Sequence, residues 1–199
     1  RNSLNRKHGF EDKKGNFFPD IIKVLKVTKP KVFLLENFKN LYSHNRGATF
    51  KKMLRELSKL GYHTLDYAVL NSKNFGLPQS RNRIYIVGFK KFTLFNFPVG
   101  KNKKTIIGDI LEPKINNKYY ISNKLWHSHK ARKKKNKDKG LGFGYGLVTR
   151  DDEYTRTLSA RYYKDGSEIL LKVKGKKTPR KLTPRECARL QGFPNSFKI

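Results

Sequence analysis

The chain has 199 residues, of which 36% are hydrophobic, and 46 Lys and Arg against 15 Asp and Glu give it a formal charge of +31. Fourteen Phe and ten Tyr beside Val/Ile/Leu runs exceed what a disordered tail carries, and a single cysteine, Cys187, excludes an internal disulfide framework. Apolar runs such as Val32–Leu35 and Ile84–Val87 fall far short of the roughly 20 residues that span a bilayer, which leaves about one soluble domain of a reducing compartment with no membrane partner.

The charge has two readings. It draws a polyanion such as nucleic acid by releasing counterions, or it reflects a lysine-rich, AT-biased coding composition. The first 15 residues are polar and carry no secretory signal, and a start at Arg1 points to a piece of something longer.

After a turn at Gly15–Asn16, the spacing of Phe18, Ile21, Ile22 and Leu25 predicts a helix that stops before Pro30. Val32–Leu35 then reads as a strand covered on both faces. Phe50, Met53, Leu54, Leu57 and Leu60 mark a second helix closed by Gly61, and Tyr62–Leu70 and Ile84–Phe89 read as two further strands. This alternation predicts an α/β sheet. From residue 96 the rhythm is lost. Lys130–Gly140, with seven basic residues in eleven, shows no sustained period and is either solvated surface or a contact for a polyanion. The glycines of Gly140–Gly146 predict a loop that approaches another backbone closely, and Thr155–Leu171 recovers some strand character. Thr183-Pro184-Arg185-Glu186 combines a capping box with proline at the first helical position, and Gly192-Phe193-Pro194 ends that helix. The expected division is 1–95, a loop-rich module at 96–180, and a returning helix at 181–199.

Glu36 stands at the end of its apolar strand, where open α/β sheets place ligands. A partly desolvated carboxyl there suits holding or donating a proton near neutrality; bracing a loop or capping a helix is the alternative. Gln79, Arg81 and Arg83 alternate into the strand Ile84–Phe89. They present an amide and two guanidinium forks suited to phosphate and base edges, or they form a structural ion pair.

Pro30-Lys31-Val32-Phe33-Leu34-Leu35-Glu36-Asn37 resembles the Glu-Asn-Val motif of the DNA cytosine-5 methyltransferases, with Phe38 in the valine place. Asn74–Phe89 resembles their Gln-x-Arg-x-Arg motif, and Arg180–Pro194 the motif that follows their target-recognition region. The three occur in the family's order and span nearly the whole chain. The resemblance implies the C-terminal part of a Rossmann-like S-adenosylmethionine-dependent methyltransferase sheet, with a smaller loop-rich target-recognition domain. The implied activity is methyl transfer from S-adenosylmethionine to carbon-5 of a cytosine flipped out of double-stranded DNA, in a bacterial cytoplasm.

On this resemblance Glu36 bears a proton toward ring nitrogen-3, Arg83 and Arg81 grip the cytosine edge, a phosphate or the catalytic loop, and Gln79 positions that cluster. Gly140–Leu147 and Thr155–Gly166 are similar to the recognition region of bacterial enzymes that methylate short, near-palindromic sites, including the group acting on CCWGG-like sequences. Arg156, Arg161 and Lys164 become DNA contacts, with Lys133, Lys134 and Lys135 as basic support. No metal is implied.

The family's Pro-Cys nucleophile lies upstream of the glutamate motif, yet no cysteine precedes Cys187. Arg1–Asp12 resembles the stretch just after the Pro-Cys loop. The glycine-rich cofactor motif and the closing Gly-Asn-Ser motif are absent as well. The resemblance therefore implies a chain inactive alone, with most of the cofactor pocket outside it and a complementing chain as a further partner. A non-catalytic DNA-binding remnant is the alternative.

Overall fold

The computed structural model describes residues 17–101 and 103–199, so the readings on Arg1–Asp12 and Gly15–Asn16 lie outside the described residues. The chain forms two compact units, one of residues 1–70 and 82–99, the other of 71–81 and 100–199.

In the first unit, helix α1 covers Phe18–Thr28, with proline in its first turn, where no amide donor is needed, and Asp20 and Lys26 matched to the helix dipole. Strand β1 covers Val32–Phe38, a one-turn helix α2 covers Asn40–Ser43, and α3 covers Ala48–Ser58. Gly61 takes a left-handed φ of 80° just beyond α3, the conformation for which glycine is suited. Strands β2 (Thr64–Asn71) and β3 (Asn82–Phe89) follow, and the sheet order is β1-β3-β2. β1 and β3 are antiparallel, in a register running from Val32 opposite Phe89 to Phe38 opposite Arg83.

One face of this sheet, with Phe33, Ile84 and Ile86, forms a core with Phe18 and Leu25 of α1 and Phe50, Met53 and Leu57 of α3. Tyr62 meets Phe33 edge-on at 4.7 Å and donates its hydroxyl hydrogen to the Pro30 carbonyl. The reading of Val32–Leu35 as a strand covered on both faces is corrected here. Phe33 is buried while Leu34 is 64% exposed and Val32 is also exposed. Side chains alternate across a strand, and among the described residues β1 lies at the edge of its sheet, with Val32 and Leu34 on the face that α1 and α3 do not cover. The central strand β3 is buried along most of its length, as the run Ile84–Phe89 predicts.

The second unit has its own core of Ile110, Tyr162, Ile169, Leu182 and Leu190. Its elements are α4 (Asn123–Asp138), β4 (Leu147–Val148), α5 (Tyr162–Asp165), β5 (Leu170–Leu171) and α6 (Pro184–Leu190), with β4 and β5 parallel. Lys130–Gly140, read as aperiodic, lies largely in a 16-residue helix. The helix is polar nearly all round, so no apolar stripe betrays it. The Ser122 side chain caps it by accepting from the Leu125 amide, and His129 is its only buried side chain.

Strand character over Thr155–Leu171 shrinks to two residues. Within that stretch α5 turns Tyr162 inward, where its hydroxyl donates to Ile169 O and accepts from the Leu182 amide, each at 2.7 Å. The Gly140–Gly146 run closes as predicted: a Cβ at Gly146 would stand 2.2 Å from the Glu168 carbonyl oxygen. The compact units part at 99/100 where the sequence suggests 95/96, and residues 71–81 and 181–199 both belong to the second.

Candidate functional site

Antiparallel register builds the first constellation. Glu36 and Phe38 are two apart on β1 and so share a face, and Phe38 lies directly opposite Arg83 on β3. Glu36 Oε1 accepts from Arg83 Nε at 2.7 Å. The two ends of this pair differ: the Arg83 side chain is 8% exposed, while the Glu36 side chain is 45% exposed. Arg83 Nη1 also donates to the Asn82 carbonyl at 2.8 Å, and its guanidinium carbon lies 4.2 Å from the Phe38 ring centroid. A buried cation thus fixes one oxygen of a carboxylate that still reaches solvent. Such a carboxylate can meet a ligand's hydrogen-bonding edge without a rotamer search.

Gln79 is not on that surface. It is 1% exposed within the second unit, where its Nε2 donates to Leu190 O at 3.1 Å and its Oε1 accepts from the Leu158 amide at 3.0 Å. These bonds brace the 71–81 segment against residues far along the chain. Arg81 is half-buried in the same unit. Its amide donates to Asn71 Oδ1 and its carbonyl accepts from the Ser72 amide, closing the loop between β2 and β3.

The remaining basic candidates all lie in the second unit, and two of them meet. Lys133 and Arg156 line an open cleft of about 520 Å³ together with Tyr145, Tyr154 and Thr157. Lys133 Nζ stands 4.3 Å over the Tyr145 ring, and Arg156 Nη1 donates to Gly144 O. No acidic side chain lines this cleft. Lys134 and Lys135 are exposed on α4, but consecutive helical residues point about 100° apart, so the three lysines do not form one surface. Arg161 and Lys164 are exposed at α5, where Lys164 lies 5.9 Å over the ring of Tyr163.

Two features were not read from the sequence. Phe38 was noted only as standing in a valine's place; its spacing of two from Glu36 is the signal that it shares that face. Arg180 is 3% exposed and forms a bidentate pair with the fully buried Glu186, at 2.7 and 2.8 Å. The capping box announces Glu186 but not its partner. Cys187, on the same short helix, is poorly placed for nucleophilic chemistry, because burial pushes its thiol up to about 12, aided by the nearby Glu186 charge. No helix among the described residues is long and apolar enough to cross a membrane.

Residues 3–199 match the family model described as C-5 cytosine-specific DNA methylase. The chain is 52% identical over 201 residues to the Type II methyltransferase M1.ScrFI of Lactococcus lactis subsp. cremoris, covering 98% of this chain and 51% of that protein. It is 51% identical to the Type II methyltransferase M.SsoII of Shigella sonnei, covering 97% of this chain and 52% of that protein. The chain thus spans about half the length of these relatives. Among solved structures, the S. pombe Dnmt2 methyltransferase superposes with a TM-score of 0.68 at 20% identity, covering 98% of this chain and 64% of that one. The Entamoeba histolytica methyltransferase EhMeth gives 0.68 at 21% identity, covering 92% and 56%. These likenesses give the fold, a Rossmann-like methyltransferase sheet with added small-sheet and loop elements. On the family match and the two close relatives, the chain belongs to the C-5 cytosine-specific DNA methylases.

Proposed function

We propose that this chain supplies the base-holding and DNA-contacting parts of a DNA cytosine-5 methyltransferase. The enzyme transfers a methyl group from S-adenosylmethionine to carbon-5 of a cytosine extruded from a short, specific duplex site. The observation that carries the reading is the Glu36–Arg83 pair: a half-exposed carboxylate at a strand end, oriented by a buried guanidinium.

Extrusion costs a few kcal/mol of stacking and pairing, and a preset site recovers part of it when the base arrives. With Oε1 held by Arg83, Oε2 is the oxygen left to meet the ring, where Glu36 holds a proton toward nitrogen-3 as the ring gains negative charge. Arg83 and Arg81 are proposed to hold the cytosine edge or its phosphate, and Gln79 to brace the segment that carries Arg81. Lys133, Lys134, Lys135, Arg156, Arg161 and Lys164 contact DNA in this reading, with residues 96–180 as the target-recognition region. The net charge of +31 supports a polyanionic partner. The reading carries with it a bacterial cytoplasm and the restriction–modification setting that the relatives' Type II names suggest.

The open cleft of the second unit does not fit S-adenosylmethionine. The cleft of Lys133 and Arg156 offers cations and neutral groups to a ligand that brings a sulfonium cation and a ribose diol, for which an acidic side chain is the natural partner. On the motifs that the sequence lacks, we assign most of the cofactor pocket, and the nucleophilic cysteine, to a part of the enzyme outside this chain. A complementing chain or a longer form of this one would provide them.

The test is complementation. Purified alone, the 199 residues transfer no labelled methyl group to duplex DNA; mixed with the cysteine- and cofactor-bearing half of a relative, they do. Methyl incorporation by the 199 residues alone would overturn this division of labour.

A further inference from the structure

The second unit buries a titratable ring that the proposed function does not use. His129 is 2% exposed and is the only buried side chain of α4, a helix without an apolar stripe. Its Nδ1 lies 3.2 Å from Arg132 Nη2, one turn along the same face. A guanidinium only donates, so Nδ1 must accept, and the single proton of the neutral ring sits on Nε2. Arg132 in turn reaches Asp165 of α5, with Nη1 3.6 Å from Oδ2. That ion pair is long and half-exposed at both ends, which makes it weak by itself.

We propose that His129 is a positioning residue for duplex binding: Nδ1 holds Arg132 in a bridge from α4 to Asp165, and a proton on that nitrogen releases the bridge. Once protonated, Nδ1 and Nη2 both carry hydrogens, and two cations confront each other at 3.2 Å. α4 carries Lys133, Lys134 and Lys135, and α5 carries Lys164 next to Arg161, so the bridge fixes the spacing of two groups of cations. The binding role rests on the DNA-contact reading of these residues, while the bridge itself does not.

The charged groups that face the ring are Arg132 of its own helix and Asp165 of α5. Burial, aided by the Arg132 charge, pushes the imidazole below its ordinary value of 6.5, with Asp165 opposing in part. The neutral, accepting ring therefore prevails at pH 7.5, and the bridge is lost as pH falls through the lowered value. At Asp165 burial acts to raise the carboxyl, but bonds from Ser167 and the Arg132 charge bring it below its ordinary value, so it stays ionised while the ring titrates.

Two measurements on the full chain test the bridge. In 15N-labelled protein at pH 7.5, the ring signals of His129, identified by their loss in His129→Gln, show the proton on Nε2. Affinity for a short duplex of arbitrary sequence is then followed from pH 7.5 to 5 at fixed ionic strength. His129→Gln keeps an oxygen that can accept from Arg132 but takes no proton, so its affinity rises as the other histidines gain charge. The native chain falls behind that variant by roughly two- to ten-fold at pH 5, the equivalent of one hydrogen bond. Arg132→Gln has no bridge to lose, so in that background the native histidine and His129→Gln give parallel curves.

A proton on Nδ1 at pH 7.5, or parallel curves for the native chain and His129→Gln, overturns the proposal. So does a difference that persists in the Arg132→Gln background, because it assigns the effect to a buried charge alone. Should no variant bind duplex at pH 7.5, the DNA-contact reading fails and takes the binding role with it, while the ring signals still report the bridge.

Discussion

Among the described residues, two glutamate–arginine pairs are built to opposite ends. In the second unit, both oxygens of Glu186 are consumed: Oε1 accepts from Arg180 Nη2 and the Glu112 amide, Oε2 from Arg180 Nη1 and the Thr183 amide. Neither side chain touches water appreciably, at 0% and 3% exposure. In the first unit Glu36 offers one oxygen to Arg83 and remains 45% exposed. A fully satisfied buried carboxylate ties α6 to the segment before it and has no capacity for a ligand. A half-satisfied, half-exposed one contributes less to stability and is available for chemistry. The same two residue types therefore do different work according to how many lone pairs the fold has already used.

The contrast is broken most forcefully at Arg180. Arg180→Met leaves the Glu186 charge buried without its partner, and denaturant unfolding should register a loss of about 3–5 kcal/mol. Glu36→Gln, at the half-exposed pair, keeps an amide oxygen that can accept from Arg83 Nε and should cost less, about 1–2 kcal/mol, in the same experiment. Equal losses at the two sites would erase the distinction.

Alkaline pH sharpens it from another side, because the second unit also buries neutral acids. Cys187 has an ordinary value near 9, raised in the fold to about 12, so below pH 9 both folded and unfolded thiols keep their protons and stability is flat. Between 9 and 12 only the unfolded thiol ionises, which favours unfolding, and stability falls as pH rises. Tyr162, also raised by burial, adds a fall of the same sign. Melting temperatures followed upward from pH 8 should decline above pH 9, and Cys187→Ala should flatten the first part of that decline. A curve unchanged by the substitution would remove the thiol from the account.

The smallest effect belongs to the surface cations. Replacing Lys133, Lys134 and Lys135 by Gln should weaken binding to every duplex sequence and reduce the salt slope by about 0.9 for each phosphate no longer neutralised. Salt titrations of duplex binding measure this directly. An unchanged slope would return the lysines to the solvated surface.

What the sequence made legible follows the physics of each element. α1, α3 and β3 bury regular apolar patterns, and α6 is announced by Thr183, Pro184 and Glu186, so all four could be read locally. α4 could not, because its residues satisfy solvent on nearly every side and only the cap at Ser122 marks it. The exposure of Leu34 was hidden for a different reason. An apolar run describes what a side chain prefers, not whether anything covers it.

The site divides likewise. Glu36 and Arg83 are found from strand-end position and motif, but their pairing depends on register, a long-range property. Gln79, read as part of a surface, turned out to be buried because its amide bonds reach residues 158 and 190, which no local pattern reveals.

The central claim is that the Glu36 carboxyl serves chemistry and not structure. Its most direct test is Glu36→Gln in the complemented enzyme, with turnover, melting temperature and duplex affinity measured together. The account predicts a fall in turnover of about 100-fold or more, with duplex affinity nearly unchanged and only a small drop in melting temperature. Native turnover in that variant would contradict it.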